Sequence, residues 1–290
     1  MTQSPSAYPV AIDTRYLGQA QQICCWRVDE HTIVDPGPTV SLDAIREELG
    51  NAELRRILIT HIHLDHSGGV GVLLREHPDA EVWVSVRGGR HLIAPERLIA
   101  SAEQVYGGAE ELARLFGEIA PVPAERVRIV AEHGAETVEE FEVVETPGHA
   151  KHHVSFFHTG TGDAYVGDTA SVRLPGFDFV LPMTTPPDVD RAAWNRSLDA
   201  IEAWEPRRLM LTHFGAFDDV AAHIARTRAG LAAWGDLAAE LDAATWGRAL
   251  GAAVAAATGR DEVKGYATTM PPETLWQGLQ IERERLATSS

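Results

Sequence analysis

The sequence predicts a layered, mixed α/β protein. Three observations lead there. Short apolar runs bounded by turn residues fill the first half, segments of helical spacing lie between and after them, and a long Ala-rich stretch closes the chain. Residues 22–27 and 31–34 read as two strands of a hairpin joined at Asp29-Glu30. Asp35-Pro36-Gly37-Pro38 is a turn that halts the second strand. Residues 41–49 have helical spacing, with Ser41 placed as N-cap. Residues 56–60 form a short apolar strand, 68–77 a helix and 81–86 the next strand. From 88 to 125 the pattern becomes helical, over 95–105 and 110–118, broken by Gly107-Gly108 and by Pro121 and Pro123. Strand patterns return at 126–130, 141–145, 154–158 and 164–167, followed by a helix over 191–204 and a buried strand over 208–212. From Asp218 onward the chain reads as helical, with a break at Thr258-Gly259-Arg260.

Composition narrows the function classes. A chain of 290 residues with 44% hydrophobic and 23% charged residues can bury a core without staples. With 25 basic against 42 acidic residues the formal net charge is −17. That argues against nucleic acid and anionic membrane surfaces as partners, because both recruit clustered Lys and Arg. No apolar stretch reaches the roughly 18 residues a membrane span needs. Residues 1–9 carry no apolar signal core, and the two cysteines, Cys24 and Cys25, are neighbours that do not form a disulfide scaffold. The expected compartment is the cytoplasm and the expected partner a small-molecule substrate.

The segment that carries chemistry is Thr60-His61-Ile62-His63-Leu64-Asp65-His66-Ser67-Gly68-Gly69, with four metal-capable side chains in six residues. It sits where a strand ends and a helix opens. His61 and His63 are two apart, so an extended backbone points both the same way. Asp65 and His66 follow on the turn, in reach of a second position. Three more potential ligands leave later strands: His149 in Thr146-Pro147-Gly148-His149, Asp168 in Val166-Gly167-Asp168-Thr169, and His213 in Leu211-Thr212-His213-Phe214-Gly215. Loops at strand ends are where α/β proteins gather chemistry. Five imidazoles and two carboxylates suit transition-metal ions rather than calcium or magnesium.

The order His61-x-His63-x-Asp65-His66, then His149, Asp168 and His213, resembles the metallo-β-lactamase superfamily. Thr32-Ile33-Val34-Asp35-Pro36-Gly37 looks like that superfamily's early Asp motif, so the resemblance covers roughly residues 20 to 215. It implies an αββα sandwich, here with a helical insertion at about 88–125 and a C-terminal helical extension. The hydrolase domain would span 1–217, and the extension, 218–290, would pack on it. The resemblance implies two divalent transition-metal ions, zinc first, with iron or manganese as alternatives. His61, His63 and His149 would hold one ion, Asp65, His66 and His213 the other, and Asp168 would bridge them beside a bridging hydroxide. The pattern is similar to the glyoxalase II and lactonase branches. It departs from the true class B β-lactamases, where a Cys replaces a ligand; neither Cys24 nor Cys25 is placed for that.

The implied reaction is hydrolysis of an ester, thioester or lactone. Hydroxide made at neutral pH would attack the carbonyl, with Asp65 carrying a proton to the leaving group. No Gly-x-Ser-x-Gly segment offers a serine nucleophile instead. A phosphodiesterase or nuclease of the same superfamily is the alternative, opposed by the net charge. A mono-iron sulfur dioxygenase would need only three of the seven ligands. Glyoxalase II proper ranks lower, since no basic cluster follows Asp168 to grip glutathione carboxylates. A purely structural metal role is disfavoured because such sites are closed and Cys-rich.

Other residues have two readings each. Asp35 orients a ligand histidine or merely caps a turn. His153 supports the ligands rather than joining them, and Lys151 and His152 are surface or packing residues. His91 and Tyr106 belong to the insertion, which could cover the site as a lid with Leu92, Ile93, Leu98 and Phe116; otherwise His91 is a solvated helix residue and Tyr106 packs. Trp194, Trp204, Trp234 and Trp246 pack helices. Residues 282–285 read as a solvated acid-base helix face. The Ala-rich tail must bury its apolar stripe, on the sandwich and in a contact between two copies.

Overall fold

In the computed structural model, which describes residues 8–259 and 271–288, strands of the first half line up in sequence order. They are β1 (Val10–Asp13), β2 (Cys24–Arg27), β3 (Thr32–Val34), β4 (Arg56–Leu58), β5 (Glu81–Ser85) and β6 (Val127–Val130). The first three run antiparallel, and β3 to β6 are parallel. Parallel neighbours need crossovers. These are α1 (Leu42–Leu49), then α2 (Leu64–Ser67) with α3 (Val70–Glu76), then α4 (Val86–Ile93), α5 (Glu96–Tyr106) and α6 (Ala109–Phe116). Helix α1 buries Leu42, Ile45 and Leu49, one apolar stripe, in a core shared with Ile33, Ile57, Val82 and Val84 of the sheet and Val70 and Leu73 of α3. Each such side chain contributes about 1.5–3 kcal/mol by leaving water.

The second sheet has the order β12, β11, β10, β9, β8, β7. It is built from β7 (Glu136–Val138), β8 (Phe141–Glu145), β9 (Val154–His158), β10 (Asp163–Tyr165), β11 (Arg208–Leu211) and β12 (Gly215–Phe217). β10 and β11 pair in parallel, with α7 (Arg191–Glu202) as crossover, while β8–β9, β9–β10 and β11–β12 pair antiparallel. Their register sets Asp163 against Arg208, and the guanidinium grips the buried carboxylate at 2.7 and 2.8 Å. Trp194, Leu198 and Ile201 of α7 bury a stripe against Leu209 and Leu211. The chain divides at Glu136 and Thr137 into two units, each containing one of these cores.

Most predicted elements are present, and the differences have physical reasons. The three unpredicted strands, β1, β7 and β12, are sheet edges of three or four residues. One side of an edge lacks a neighbour, so its apolar signal is weak. Ser41 stands at the N-cap of α1, but its hydroxyl makes no capping bond. Helix α4 belongs to the sheet, because Gly88 and Gly89 bring it so close to β5 and β6 that an added Cβ would lie 2.7 Å from the Val84 and Ile129 side chains. Leu92 is accordingly a core residue. Helices α5 and α6 gather Leu98, Ala102, Tyr106, Leu112 and Phe116 around Leu64, the residue before Asp65. His91 is half-buried, and that burial, with Arg90 and Arg97 alongside, holds its pKa below the ordinary histidine value.

The C-terminal helices are α8 (Val220–Glu240), α9 (Ala243–Thr258) and α10 (Pro272–Thr288). Asp242 ends the first of them by capping the next, accepting from the Thr245 N–H at 2.8 Å, a break the sequence reading missed. Gly259 closes α9 in a left-handed conformation; Arg260 and residues 1–7 lie outside the described residues. Trp246 packs edge-on to Trp234 at 5.5 Å, and Trp194, Trp234 and Trp246 are all helix-packing residues, as predicted. No described helix is long and apolar enough to cross a membrane.

Of residues 282–285, Arg283 and Glu284 are exposed as predicted, but Glu282 and Arg285 turn inward. Glu282 is buried, accepts from the Arg191 backbone N–H at 2.5 Å and pairs with its guanidinium at 2.6 Å, while Arg285 donates to the Val189 carbonyl. A carboxylate at the first turn of α7 also meets the positive end of the helix dipole. The Glu282→Gln variant leaves Arg191 without its counter-charge and is expected to lose about 3 kcal/mol of stability. Urea denaturation reads this as a lower midpoint at unchanged slope; an unchanged midpoint would show that the pair contributes nothing.

Candidate metal centre

In the first unit the ligand segment begins where β4 stops. Register explains what stands beside it: Val34 pairs with Leu58, so one further residue sets Asp35 near Thr60. Asp35 takes a positive φ of 47°, a conformation Asp tolerates, and its side chain is fully buried. Its carboxylate accepts the Thr60 N–H at 2.9 Å, the Thr60 hydroxyl at 2.7 Å and His66 Nδ1–H at 2.8 Å. The backbone of the same turn grips the histidine too, since Gly37 N–H donates to the His66 carbonyl at 3.0 Å. Of the two readings of Asp35, the structure therefore supports the orienting one.

His61 Nε2 and His63 Nδ1 lie 3.0 Å apart, and the His61 and His66 ring centroids 4.0 Å apart. The extended spacing of His61 and His63 does put them on one side. Asp65 and His66, on α2, offer ligand atoms within 4.8 Å of each other. His61 and His66 are fully buried, while His63 and Asp65 are half-buried at the rim. Tyr16 and Tyr106 flank Phe116 at ring-centroid distances of 6.3 and 4.9 Å. Burial, then the Asp65 charge, pushes both phenols well above the ordinary tyrosine range, so both stay protonated donors.

In the second unit three strand ends carry the remaining candidates. Gly148, at φ 141°, lets the turn before His149 lie against Trp194; a Cβ there would strike the tryptophan backbone. His149 Nδ1–H donates to the Met183 carbonyl at 2.6 Å, and its Nε2 lies 3.4 Å from Asp168 Oδ2. His213 Nε2 lies 3.6 Å from Asp168 Oδ1. The two oxygens of one buried carboxylate thus face two different imidazoles.

His153 is a support, as the sequence reading had it. Its Nδ1 contacts the Thr146 hydroxyl at 2.8 Å, and its Nε2 accepts the Asp168 N–H at 3.2 Å, which commits the lone pair a metal would need. Trp194 does more than pack. Its indole N–H donates to the Thr169 carbonyl at 2.7 Å, and its ring meets His149 edge-on at 5.7 Å. Lys151 is a surface residue paired with Asp188. The sequence reading missed Thr60 and Met183, which act through a hydroxyl and a peptide carbonyl, and His223, considered below.

The donors fit divalent transition ions. Two ligands of a tetrahedral ion at about 2.1 Å stand roughly 3.4 Å apart. The separations within each unit, 3.0 Å for His61 and His63 and 3.4 and 3.6 Å around Asp168, straddle that value. Imidazole and carboxylate are also the chemistry such ions take.

The profile of the metallo-beta-lactamase superfamily matches residues 23–213. A hydroxyacylglutathione hydrolase of Xanthomonas euvesicatoria is 31% identical over 137 residues, 47% of this chain and 40% of that protein, so the chain spans less than half the length of this relative. The crystal structure of a metallo-beta-lactamase family protein from Thermus thermophilus superposes with a TM-score of 0.65 at 20% identity, over 97% of this chain and 93% of that one. A protein crystallised in a di-iron-bound form superposes at 0.53 with 23% identity, over 76% and 98% of the two chains. With two thirds of its length inside the family profile and the family's fold throughout, this chain belongs to the metallo-β-lactamase superfamily.

Proposed function

We propose that the chain is a metal-dependent hydrolase that opens an ester, thioester or lactone. His61, His63 and His149 would serve one divalent ion, Asp65, His66 and His213 a second, and Asp168 both. The observation that carries this reading is the bond behind the imidazoles. His66 gives its Nδ1–H to Asp35 and His149 gives its Nδ1–H to the Met183 carbonyl, so in the neutral ring the lone pair of each lies on Nε2. Histidines that ligate metals are held in this way. Divalent ions bound there would supply Lewis acidity towards a carbonyl oxygen and hydroxide at neutral pH.

The chain's own residues would do the rest. Asp65 is half-buried rather than sealed, so its carboxylate can carry a proton to the leaving group. Half-buried Tyr106, whose phenol feels the Asp65 charge and packs on Phe116 behind it, would shape the entrance for the acyl part of the substrate. The carbonyl class is supported by the relative's name, since a hydroxyacylglutathione is a thioester. Phosphodiester substrates find less support at a net charge of −17. Zinc is the first choice of metal, and the di-iron relative makes iron the second.

Three outcomes follow. Protein purified without chelator should hold close to two transition-metal ions per chain by elemental analysis and hydrolyse 4-nitrophenyl acetate or S-lactoylglutathione far faster than bis(4-nitrophenyl) phosphate. A metal content near one, unmoved by supplementation, would overturn the binuclear reading. Faster turnover of the phosphodiester would overturn the carbonyl one.

Asp168→Ala should lose hydrolysis by orders of magnitude while circular dichroism and melting stay near wild type, because the strands beneath it are untouched. Near wild-type turnover would remove Asp168 from the reaction.

Asp35→Asn presents an amide N–H where the His66 Nδ1–H now finds an acceptor. Either that contact breaks or the proton moves to Nε2, and zinc affinity should fall about 10- to 100-fold. A chelator competition titration measures this, and an unchanged affinity would show that Asp35 is only a turn residue.

A further inference from the structure

The turn that carries Asp168, Gly167–Ala170, is held from outside by α8. The Ala170 carbonyl accepts His223 Nε2–H at 2.7 Å and the Thr227 hydroxyl at 3.4 Å. His223 and Thr227 are one helical turn apart on α8, and both are fully buried. A carbonyl can only accept, so the proton of His223 sits on Nε2. The other ring nitrogen faces Arg173 Nη1 at 3.5 Å, and a guanidinium can only donate. Both neighbours therefore require the same neutral tautomer. Burial, with the Arg173 and Arg226 charges alongside and against the pull of Asp219 and of the bond to Ala170, pushes the His223 pKa down to about 4.

Arg173 continues the same clamp. Its N–H donates to the His213 carbonyl at 2.9 Å, and its guanidinium reaches Asp219, at the start of α8, at 2.6 Å. It also stacks over Phe217 at 4.3 Å. The segments bearing Asp168 and His213 are thus both tied to the first turns of α8. Packing alone would be served by a leucine or phenylalanine. A buried imidazole has a desolvation cost that only its hydrogen bonds offset.

We propose that His223 is a positioning residue, whose Nε2–H on the Ala170 carbonyl fixes the Asp168 turn and so sets the direction of the Asp168 carboxylate. This rests on the reading of Asp168 and His213 as metal ligands. It gives α8 of the C-terminal extension a share in the metal centre, although no residue of α8 is a ligand.

The test is zinc affinity of the full chain, measured by competition with a chromophoric chelator, alongside melting of the metal-free protein. His223→Gln places an amide N–H near the position of Nε2 and should bind zinc close to wild type. His223→Leu, without a donor, should bind about 10- to 100-fold more weakly, while the metal-free melting temperatures of the two variants stay alike. If His223→Leu does not fold, His223→Asn replaces it, since the shorter amide reaches only to the Nδ1 position and should show the same weakening. Wild-type affinity in the donor-less variant would overturn the proposal. So would a glutamine variant as weak as the leucine one, because the donor would then not matter. A wild-type protein that binds no zinc or iron would instead overturn the metal-centre reading itself, and this inference with it.

Discussion

An imidazole can hold a cation only through a bare lone pair, so one ring nitrogen must keep its proton and the other must lose it. That constraint organises the buried polar interior of each unit. In the first, the parallel register of β3 and β4 carries Asp35 to the point where the Thr60 backbone, the Thr60 hydroxyl and the His66 ring can all donate to it. In the second, the Met183 carbonyl does for His149 what the Asp35 carboxylate does for His66. His153 shows the opposite case: its Nε2 is spent on a backbone N–H, and the ring becomes a strut.

Buried charge follows the same economy of partners. Although the chain carries 42 acidic residues, the buried carboxylates of Asp163 and Glu282 meet donors fixed by the fold. Asp163 has Arg208 because β10 and β11 pair in that register. Glu282 has both the guanidinium and the N–H of Arg191, which places it at the dipole end of α7. Pairs of this kind add little net stability over an apolar pair, but losing one partner is costly. They therefore fix where α10 and α7 lie more than how strongly they are held.

Much of this was legible in the sequence. The spacing His61-x-His63-x-Asp65-His66 predicts a shared side of a strand end, and the rings do meet there. The other three candidates stand two to four residues past β8, β10 and β11, where the apolar runs said they would. What failed to show was of three kinds. Short edge strands such as β1 and β12 have no full apolar face to announce them. Helix α4 was not separated from the helical stretch that follows it, because nothing local in Gly88-Gly89 tells that these glycines let the helix lie on the sheet. Glu282 looked solvated because its neighbours Arg283 and Glu284 are charged; only the position of α7 reveals that one face of that run is buried.

The least legible layer is the one behind the candidate ligands, and the reason is physical. Asp35 precedes His66 by 31 positions, Met183 follows His149 by 34, and His223 follows Ala170 by 53. Two of these three contacts use a peptide carbonyl, which every residue possesses, so the side chain at Met183 or Ala170 carries no trace of the role. A ligand must be a particular residue type at a particular spacing, and that leaves a pattern. A brace need only deliver an oxygen or an N–H to the right place, and many sequences can do so. The braces are therefore set by tertiary register rather than local sequence, while the direction of each candidate ligand depends on them. Helix α8 is the extreme instance: its sequence reads as an Ala-rich packing helix, yet its first turns hold the backbone on which Asp168 is mounted.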